Sequence, residues 1–388
     1  MAQTPAGTPE YTQHRLNAFL DRFLTNADRT VFSHIDLGLH HNTQYEQSRL
    51  LDLLAHCAIN GEFANGGAKT RRVAAGDFSG LRSDRRSPSA KALGYHLREL
   101  NREAIVDQFE QGLEELHRLA RQARLFTTPI DVAIDVHDWL FYGDEETAMV
   151  ANTNPSQGTA TAYKFVTACV VTAGLRLTVA VEPLAAKKEL PEALGTVIDH
   201  ARDWVDIRRI FLDRGFYRVR CLQVLHEREV PYVMRAPRFQ SLDEGQPQVQ
   251  VEDDYRMTQS YAPYDWVRTT RFTVPHAQSP EEKQTYFVTN CPVTEETATA
   301  IAESYRRRWG IETSYRVIGD FLAKSRSTVY SVRLFYFLFA VTLYNLWVLC
   351  NRLLTEVFGW ELDLPPLSAA VFGRLIRQQW MADLFDPG

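Results

Sequence analysis

The first third of the chain carries its apolar residues at helical spacing. Between Tyr11 and about Arg124, apolar side chains recur every three or four residues, as in the stripe that contains Phe109 and Leu113. Residues at this spacing share one face of an α-helix, so the segment predicts several helices that each bury one face. The residues before it are polar and contain Pro and Gly, which favours a disordered tail.

A period of two replaces the helical period after Pro129. Ile130, Val132 and Ile134 alternate with residues of the opposite face, which is the pattern of a β-strand. Two strands are predicted next, at residues 163–172 and 175–181, followed by a helix at 191–205 and a strand at 210–212. A second helix, which starts at about residue 216, and a strand at 231–235 complete the series. Three adjacent strands followed by helix, strand, helix and strand are the element order of a ribonuclease-H-like α/β core with a mixed sheet.

Strand-like runs continue between about Pro237 and Asn290, separated by polar turns. We expect a β-rich insertion here, placed before the last helix of the core. Thr294 is a suitable N-cap for that helix, because two acids follow it in the first turn. Farther on, Leu334–Cys350 is nearly all apolar but shorter than the ~20 residues that a membrane helix needs, so it predicts a buried core helix.

These elements divide the chain into six predicted segments. They are a disordered tail (1–12), a helical N-terminal domain (13–125), the first part of the α/β core (126–236), the β-rich insertion (237–293), the last part of the core (294–350) and a C-terminal helical tail (351–388).

Composition narrows the class of protein. A chain of 388 residues with 45% hydrophobic content can bury a sizeable core in two or three domains. Its net charge of -5 argues against coating nucleic acid by bulk charge, although a local basic groove remains compatible with it. The five cysteines form no C-x-x-C pair, which excludes a zinc knuckle or a redox motif of that type. No export signal is recognisable at the N-terminus, so we expect a cytoplasmic protein.

Four residues near the end of the core have complementary chemistry at helical spacing. Tyr305, Arg308, Glu312 and Arg316 follow one another at intervals of three or four residues, which places them on one face of a continuous helix. A carboxylate beside two guanidinium groups suits phosphate chemistry, with the arginines as phosphate clamps and the tyrosine packed on a sugar or a base. The plain alternative is a surface ion pair beside a core aromatic residue.

Two further acids follow predicted strands. Asp135 ends the strand that starts at Ile130, and Asp213 directly follows a later strand. With Glu312 they offer the oxygen ligands that hard divalent cations prefer, and two such ions about 3.5–4 Å apart can cleave a phosphodiester. An Asp after a strand is more often a turn or cap residue, so each acid carries little weight alone. The nearby His137 is interpreted as structural or as a neighbour of the site.

A basic segment rich in Gly and Ser lies within the helical N-terminal domain. Its Arg71, Arg72, Arg85 and Arg86 can contact the phosphates of DNA, which would make this domain DNA-binding. A solvated loop explains the same composition equally well. The run that starts at Gly66 has only a superficial likeness to a phosphate-binding loop, because the first glycine of that motif is out of place and no strand precedes it.

Three elements together resemble a known family. They are an acid after the first strand, an acid followed by Arg-Gly-Phe, and a helix with the spacing Tyr-x2-Arg-x3-Glu. Their residues are Asp135, Asp213, Tyr305, Arg308 and Glu312. The combination resembles the DDE transposases of bacterial and archaeal insertion sequences, specifically the insertion sequence 4 group, which also has a β-rich insertion before its last acid. The resemblance covers about residues 126–350.

This resemblance implies a transposase that cuts and rejoins DNA with Mg²⁺, for which Mn²⁺ is a substitute. Asp135 would bridge two metal ions, with Asp213 and Glu312 each holding one side. The implied partners are the terminal inverted repeats of the element, the target DNA and a second copy of the chain assembled on DNA, without any membrane. We expect such a protein in the cytoplasm, associated with the nucleoid.

The chain departs from the family pattern at one position. The pattern has a Lys seven residues after its Glu, where this chain has Gly319. Arg316 or Lys324 could supply the missing cation to the DNA end. Two alternatives stay open: a DDE-type nuclease that does not join strands, and a catalytically silent DNA-binding derivative.

Overall fold

A computed structural model describes residues 9–74, 88–125, 128–172, 175–239, 247–259, 262–275, 284–359 and 365–380. The chain divides into two compact units, one formed by Met1–Leu125 with Arg316–Gly388 and the other by Phe126–Tyr315.

The described residues contain eleven α-helices. In chain order, α1 to α11 span Pro9–Thr30, Gln47–Asn60, Ala64–Ala74, Ala90–Glu99, Arg102–Gln122, Leu190–Trp204, Val219–Glu227, Glu295–Tyr305, Trp309–Asp320, Tyr330–Phe358 and Ala369–Trp380. Short 3-10 turns lie at Phe32–His34, Lys187–Glu189, Arg214–Phe216 and Arg306–Arg308.

The same residues contain nine strands. In chain order, β1 to β9 span Ile130–Phe141, Val150–Ser156, Thr159–Val170, Thr178–Leu184, Ile207–Leu212, Tyr232–Arg235, Gln250–Gln259, Ala262–Pro275 and Gln284–Thr289.

The helical unit is built around α10. This helix is long and apolar enough to cross a bilayer by length and composition, but 94% of its most apolar window is buried. Phe335 packs edge-on against Phe109 of α5 at 5.0 Å between ring centroids, and Phe339 lies 5.5 Å from Phe32. The helix is therefore buried as the sequence predicts. Residues 316–350, which the sequence assigns to the α/β core, lie in this unit because α10 packs on α4 and α5.

The second unit is organised by one mixed nine-stranded sheet. Its strand order is β2-β3-β1-β5-β6-β9-β8-β7, with β4 paired to β3. β1, β5 and β6 are parallel, whereas β3 runs antiparallel to β1. The predicted order of three strands, helix, strand, helix and strand is present, with β2 as an addition that the sequence did not predict. The strands of the predicted insertion, β7 to β9, continue the same sheet through antiparallel pairing of β9 with β6.

One face of this sheet carries α8 and α9. Ala133 of β1, Phe211 of β5 and Phe287 of β9 form a buried cluster with Tyr305 of α8 and Ile311 of α9. Side chains alternate between the two faces of a strand, so the residues two positions from Ala133 and Phe211 share this face. The helices therefore cover the face that also carries Asp131, Asp135 and Asp213.

The helix predicted to run from Thr294 through Glu312 is interrupted. The cap is as expected, because the Thr294 hydroxyl and the Thr297 side chain form a capping box. However, α8 ends at Tyr305, a 3-10 turn follows, and Glu312 belongs to α9. Ion pairs from two consecutive arginines of the turn to two aspartates of β1 accompany this tighter winding.

Candidate active site

Two of the predicted acids lie next to each other where β5 ends. The prediction that Asp135 ends its strand is wrong, because β1 continues to Phe141 and Asp135 lies inside it. In the register of β1 and β5, Ala133 pairs with Phe211 and Ile134 with Leu212. Asp135 and Asp213 are the next residues of the two strands, and both belong to the face covered by α8 and α9. Because the strands are parallel neighbours in this register, the fold brings these two carboxylates close together at the point where β5 ends and β1 continues.

The end of β5 fixes the Asp213 carboxylate. Asp213 is the N-cap of the 3-10 turn Arg214–Phe216, and its Oδ1 accepts a hydrogen bond of 2.8 Å from the backbone N–H of Gly215. A Cβ at position 215 would lie 2.9 Å from this same Oδ1, so glycine is needed for the close approach. Phe216 is fully buried and anchors the turn.

Arg308 connects Asp135 to the third acid. Its Nη1 donates to Asp135 Oδ2 at 3.0 Å, and its Nη2 donates to Glu312 Oε1 at 2.5 Å. The backbone N–H of Val136 donates to the other oxygen of Asp135 at 2.8 Å. Arg308 is largely buried, whereas Glu312 is half exposed. The guanidinium thus acts as the counter-cation between two of the three predicted acids.

The environment of Asp135 disfavours its charged form. Burial, together with repulsion from Asp213 and a smaller repulsion from Glu312, raises the pKa of Asp135 to about 7. Arg308 and the Val136 N–H oppose that shift without cancelling it. The repulsion also indicates that Asp213 and Glu312 both lie near enough to act on Asp135. A carboxyl group that holds its proton near neutrality is a common property of catalytic sites.

Tyr305 has a structural position. It is 6% exposed, packs edge-on against Phe211 and Phe287, and its hydroxyl donates to the Leu212 carbonyl at 2.9 Å. Its contact with a sugar or a base is therefore not compatible with this structure, because the ring is inside the core. Instead, Tyr305 supports the residue directly before Asp213.

A second tyrosine, Tyr315, lies near Asp135 and was not predicted from the sequence. The Tyr315 hydroxyl lies 2.7 Å from the Thr167 hydroxyl, and Thr167 pairs with Asp135 across β3 and β1. The His137 ring packs on Tyr315 with 4.7 Å between centroids. Burial lowers the pKa of His137 to about 4, so the imidazole is neutral at pH 7. Tyr315 lies three residues after Glu312, a helical spacing that could have pointed to it.

Small residues of α9 let this helix pack closely on the sheet. A Cβ at Gly310 would lie 3.2 Å from Val171 Cγ1 and 3.1 Å from Arg176 Nε. The Ser314 hydroxyl donates to the Gly310 carbonyl at 2.9 Å and contacts the Cys169 thiol at 3.7 Å. This small-residue contact sets the depth at which α9 lies on β3, and thereby the position of Glu312.

The predicted acids do not form a ready-made ligand cluster. Within the described ranges, no group of three or more His, Cys, Asp or Glu side chains is arranged to hold a metal ion. The physical reason is that Glu312 is turned onto Arg308, while Asp213 Oδ1 is bonded to Gly215. The donor chemistry nevertheless fits a divalent cation, because the side chains would supply oxygen ligands and Asp213 and Glu312 add negative charge near Asp135.

The other predicted cationic residues lie apart from one another. Arg71 is fully buried and pairs with Asp52 at 3.8 Å, so it is not available to DNA and that prediction is wrong for this structure. Arg72 is half-buried on α3, and Arg316 is exposed on α9. Lys324 is exposed, with its backbone N–H bonded to the Glu62 carbonyl at 3.1 Å. The remaining two predicted contacts, Arg85 and Arg86, lie outside the described residues.

Two features of the site region were not found from the sequence. Trp309 follows Arg308 directly and is 66% exposed, which is unusual for so large an apolar side chain. Asp131, two pleats before Asp135, is paired with three arginines. Neither feature has a sequence signal that separates it from ordinary strand and helix residues.

A family model decides the identity of the chain. The model of the transposase DDE domain matches residues 127–346, which is more than half of the sequence. The chain belongs to the DDE transposase family. Transposition and DNA recombination are thus its functional class, and members of this family generally use divalent metal ions.

A solved structure agrees with this assignment at the level of fold. The cryo-EM structure of a piggyBac transposase synaptic complex with hairpin DNA has a TM-score of 0.54 to this DDE transposase, covering 95% of this chain and 80% of the other. Sequence identity is 11%, so the likeness concerns the fold alone. The predicted α/β fold class is confirmed. No curated protein matches the sequence.

Proposed function

We propose that the protein is a transposase of the insertion sequence 4-like group. It binds the ends of an element, cleaves DNA phosphodiesters and transfers the freed 3′-hydroxyl ends to target DNA. The observation that carries this proposal is the convergence of Asp135, inside β1, and Asp213, directly after the parallel neighbour β5, with Glu312 joined to Asp135 through Arg308.

Asp135, Asp213 and Glu312 would hold two divalent metal ions, Mg²⁺ or, as a substitute, Mn²⁺. When bound, these ions activate the attacking oxygen and stabilise the leaving oxygen of an in-line displacement. Asp135 must lose its proton to act as a ligand, and its pKa of about 7 allows that at physiological pH. Water is the first nucleophile, and the 3′-hydroxyl that it frees is the second.

Arg308 has two roles in this scheme. Without metal it neutralises part of the charge of Asp135 and Glu312 through its two ion pairs. Glu312 becomes available as a ligand only when this contact opens, and the guanidinium can then bind a phosphate oxygen of the DNA. Removal of Arg308 is therefore expected to weaken binding of the DNA end and to reduce the salt dependence of that binding.

The partners follow from the same proposal. The terminal inverted repeats and the target DNA are substrates, and two copies of the chain pair the ends on DNA. The helical N-terminal domain (13–125) contributes DNA contacts, and Arg316 or Lys324 replaces the lysine that is absent at Gly319. The protein would work in the cytoplasm at the nucleoid.

Cleavage of an element end tests the proposal. Inverted repeats in the DNA that flanks the gene supply the substrate, and purified protein with Mg²⁺ should release a 3′-hydroxyl. Asp135→Asn, Asp213→Asn and Glu312→Gln should each abolish cleavage but keep DNA binding. The matched control is Asp254→Asn, because Asp254 is exposed and has a φ of 57° that Asn tolerates. Full cleavage by any of the three site variants would remove that acid from the site.

Strand transfer separates the proposal from its alternatives. A pre-cleaved end with a free 3′-hydroxyl should join to a supercoiled target plasmid in the presence of the wild-type protein. A nuclease would cleave the uncut end but give no joined product. A silent binding protein would give neither product, and its Asp213→Asn variant would behave as the wild type.

A further inference from the structure

A second charged cluster lies on the same strand as Asp135. Arg208 Nε and Nη2 donate to the two oxygens of Asp131 at 2.8 and 2.6 Å. Arg209 donates to the same oxygens at 3.2 Å each, and Arg307 Nη1 donates to Oδ2 at 2.9 Å. Three guanidinium groups thus share one carboxylate, and this set of four side chains is called the Asp131 cluster below.

The Asp131 cluster has an excess of positive charge that faces solvent. The Asp131 side chain is 1% exposed, whereas Arg208 and Arg307 are 48% and 53% exposed. Within the described part of the chain, Asp131 is the only acid at ion-pair distance from these three arginines. One buried negative charge against three positive charges leaves a local excess of two. A merely structural ion pair would not need the second and third guanidinium groups.

The cluster is also pre-organised. Arg208 grips Asp131 with two N–H groups, and Arg209 is held in addition by the Phe211 ring, 5.1 Å from its guanidinium carbon. Each arginine keeps at least one N–H group that Asp131 does not use. Guanidinium groups that are already fixed lose less side-chain entropy when they bind a planar or tetrahedral oxyanion.

The position of the cluster connects it to the acids. Asp131 and Asp135 are four residues apart on one strand, so they share a face at about 13 Å from each other. Arg307 and Arg308 are consecutive residues of one 3-10 turn, and they pair with Asp131 and Asp135 respectively. At about 3.4 Å per base pair along one strand, this distance is a few nucleotides of duplex DNA.

We propose that the Asp131 cluster is a binding site for the phosphate backbone of duplex DNA, a few nucleotides from the phosphodiester that is cleaved. The inference rests on the proposed function, because it takes DNA bound at Asp135 as its starting point. Arg208 and Arg307 make the phosphate contacts, while Asp131 holds both guanidinium groups in place. Such contacts carry no sequence information and determine where the duplex lies.

The salt dependence of DNA binding tests this site. The full chain is titrated with a 40-base-pair duplex of arbitrary sequence over a series of salt concentrations, in Ca²⁺ or without metal to prevent cleavage. The slope of log K against log [salt] should fall in magnitude by about 0.9 for each lost phosphate contact, so by roughly 1.8 in Arg208→Gln/Arg307→Gln. The conservative variant Arg208→Lys/Arg307→Lys should keep most of the slope.

Arg220→Gln is the matched control. Arg220 is an exposed arginine of α7 that pairs with a single acid, Asp265, at 2.9 Å. Its removal should leave the slope unchanged. A wild-type slope in the folded double Gln variant would overturn the site, while the proposed function would stand if the wild type still bound and cleaved DNA. Absence of salt-dependent binding by the wild type would overturn both.

Arginine modification of the wild type covers the case of a variant that does not fold. Phenylglyoxal labelling is followed by mass spectrometry with and without the duplex. Arg208 and Arg307 should be protected at least several-fold by the DNA, whereas Arg220 should be labelled equally in both samples. Equal labelling of Arg208 and Arg307 with and without DNA would overturn the proposed site.

Discussion

Two aspartates of β1 share a face of the sheet and have opposite electrostatic surroundings. Asp131 would have its pKa raised by burial, but the hydrogen bonds from Arg208 and Arg209 hold that pKa below its ordinary value. Asp135 has one arginine and two neighbouring acids, so burial and the repulsion from Asp213 raise its pKa to about 7. The positive charges around Asp131 exceed its own negative charge, whereas the single arginine beside Asp135 does not balance the negative charges around it.

The difference separates an anchor from a site. The charge of a buried carboxylate that is surrounded by hydrogen-bonding cations is already neutralised, so a further cation is not favoured there. A buried carboxylate with other negative charges around it is repelled by them, and a divalent cation would neutralise that repulsion. Arg307 and Arg308 are consecutive residues, so one short turn contacts both aspartates: Arg307 pairs with Asp131 and Arg308 pairs with Asp135.

The largest expected effect is the loss of DNA cleavage when Asp135 is changed. Asp135→Asn keeps the size of the side chain but removes the charge that a metal ion needs. We expect cleavage to fall at least about a thousandfold, which corresponds to several kcal/mol of lost transition-state stabilisation. Single-turnover cleavage of an end-labelled duplex measures it. Residual cleavage within tenfold of the wild type would show that Asp135 is not a ligand.

Asp131→Asn should act on stability instead. It leaves three guanidinium groups without their carboxylate around a buried position, so the free energy of unfolding should fall by about 2–3 kcal/mol. Urea denaturation followed by circular dichroism measures the loss. An unchanged midpoint would mean that the arginines already find other partners, and the contrast between the two aspartates would lose its basis.

Stability should depend on pH in opposite ways at the two positions. The pKa of Asp135 is higher in the folded than in the unfolded chain, so its ionisation destabilises the fold as pH rises from about 4 through 7. Asp135→Asn should therefore gain stability relative to the wild type as pH rises, by on the order of 1–2 kcal/mol more at pH 8 than at pH 5. Thermal unfolding at both pH values in the absence of metal measures the difference. Equal differences at the two values would contradict the raised pKa.

The smallest expected effect concerns Arg308. Arg308 lowers the pKa of Asp135, so Arg308→Gln should raise that pKa further. The pH at which Mn²⁺ binding reaches half of its maximum should move upward by the same amount. A titration of Mn²⁺ by electron paramagnetic resonance measures this, with Arg307→Gln as the control that should not move the midpoint. A downward movement in Arg308→Gln would exclude the ion pair with Asp135 as a contributor.

The strands of the second unit were largely predictable from the sequence. Alternation of apolar residues located the start of β1 and the end of β5, so Asp213 was found at a strand end. The end of β1 was not found, because the strand continues past Asp135 to Phe141. Pairing of β2 was not predictable, because Val150–Ser156 is mostly polar and its partner is decided by the tertiary fold. The Thr294 cap was predictable because capping depends on residues three positions apart.

Side-chain direction was the part that local pattern could not supply. The spacing of Tyr305, Arg308 and Glu312 assumed a continuous helix, and the 3-10 turn changes it. As a result Tyr305 points into the core toward Leu212, whereas Trp309 is exposed. Arg71 was expected on a basic surface but is buried against Asp52. Burial of such residues depends on contacts between segments far apart in the chain.

A Mn²⁺ complex at pH 8 tests the central claim most directly. Crystals of the protein with Mn²⁺ should show an anomalous peak about 2.0–2.3 Å from carboxylate oxygens of Asp135 and Asp213. In the same map the Arg308 guanidinium should have left Glu312. A peak elsewhere, with the Arg308–Glu312 ion pair intact, would contradict the assignment of these acids as the metal site.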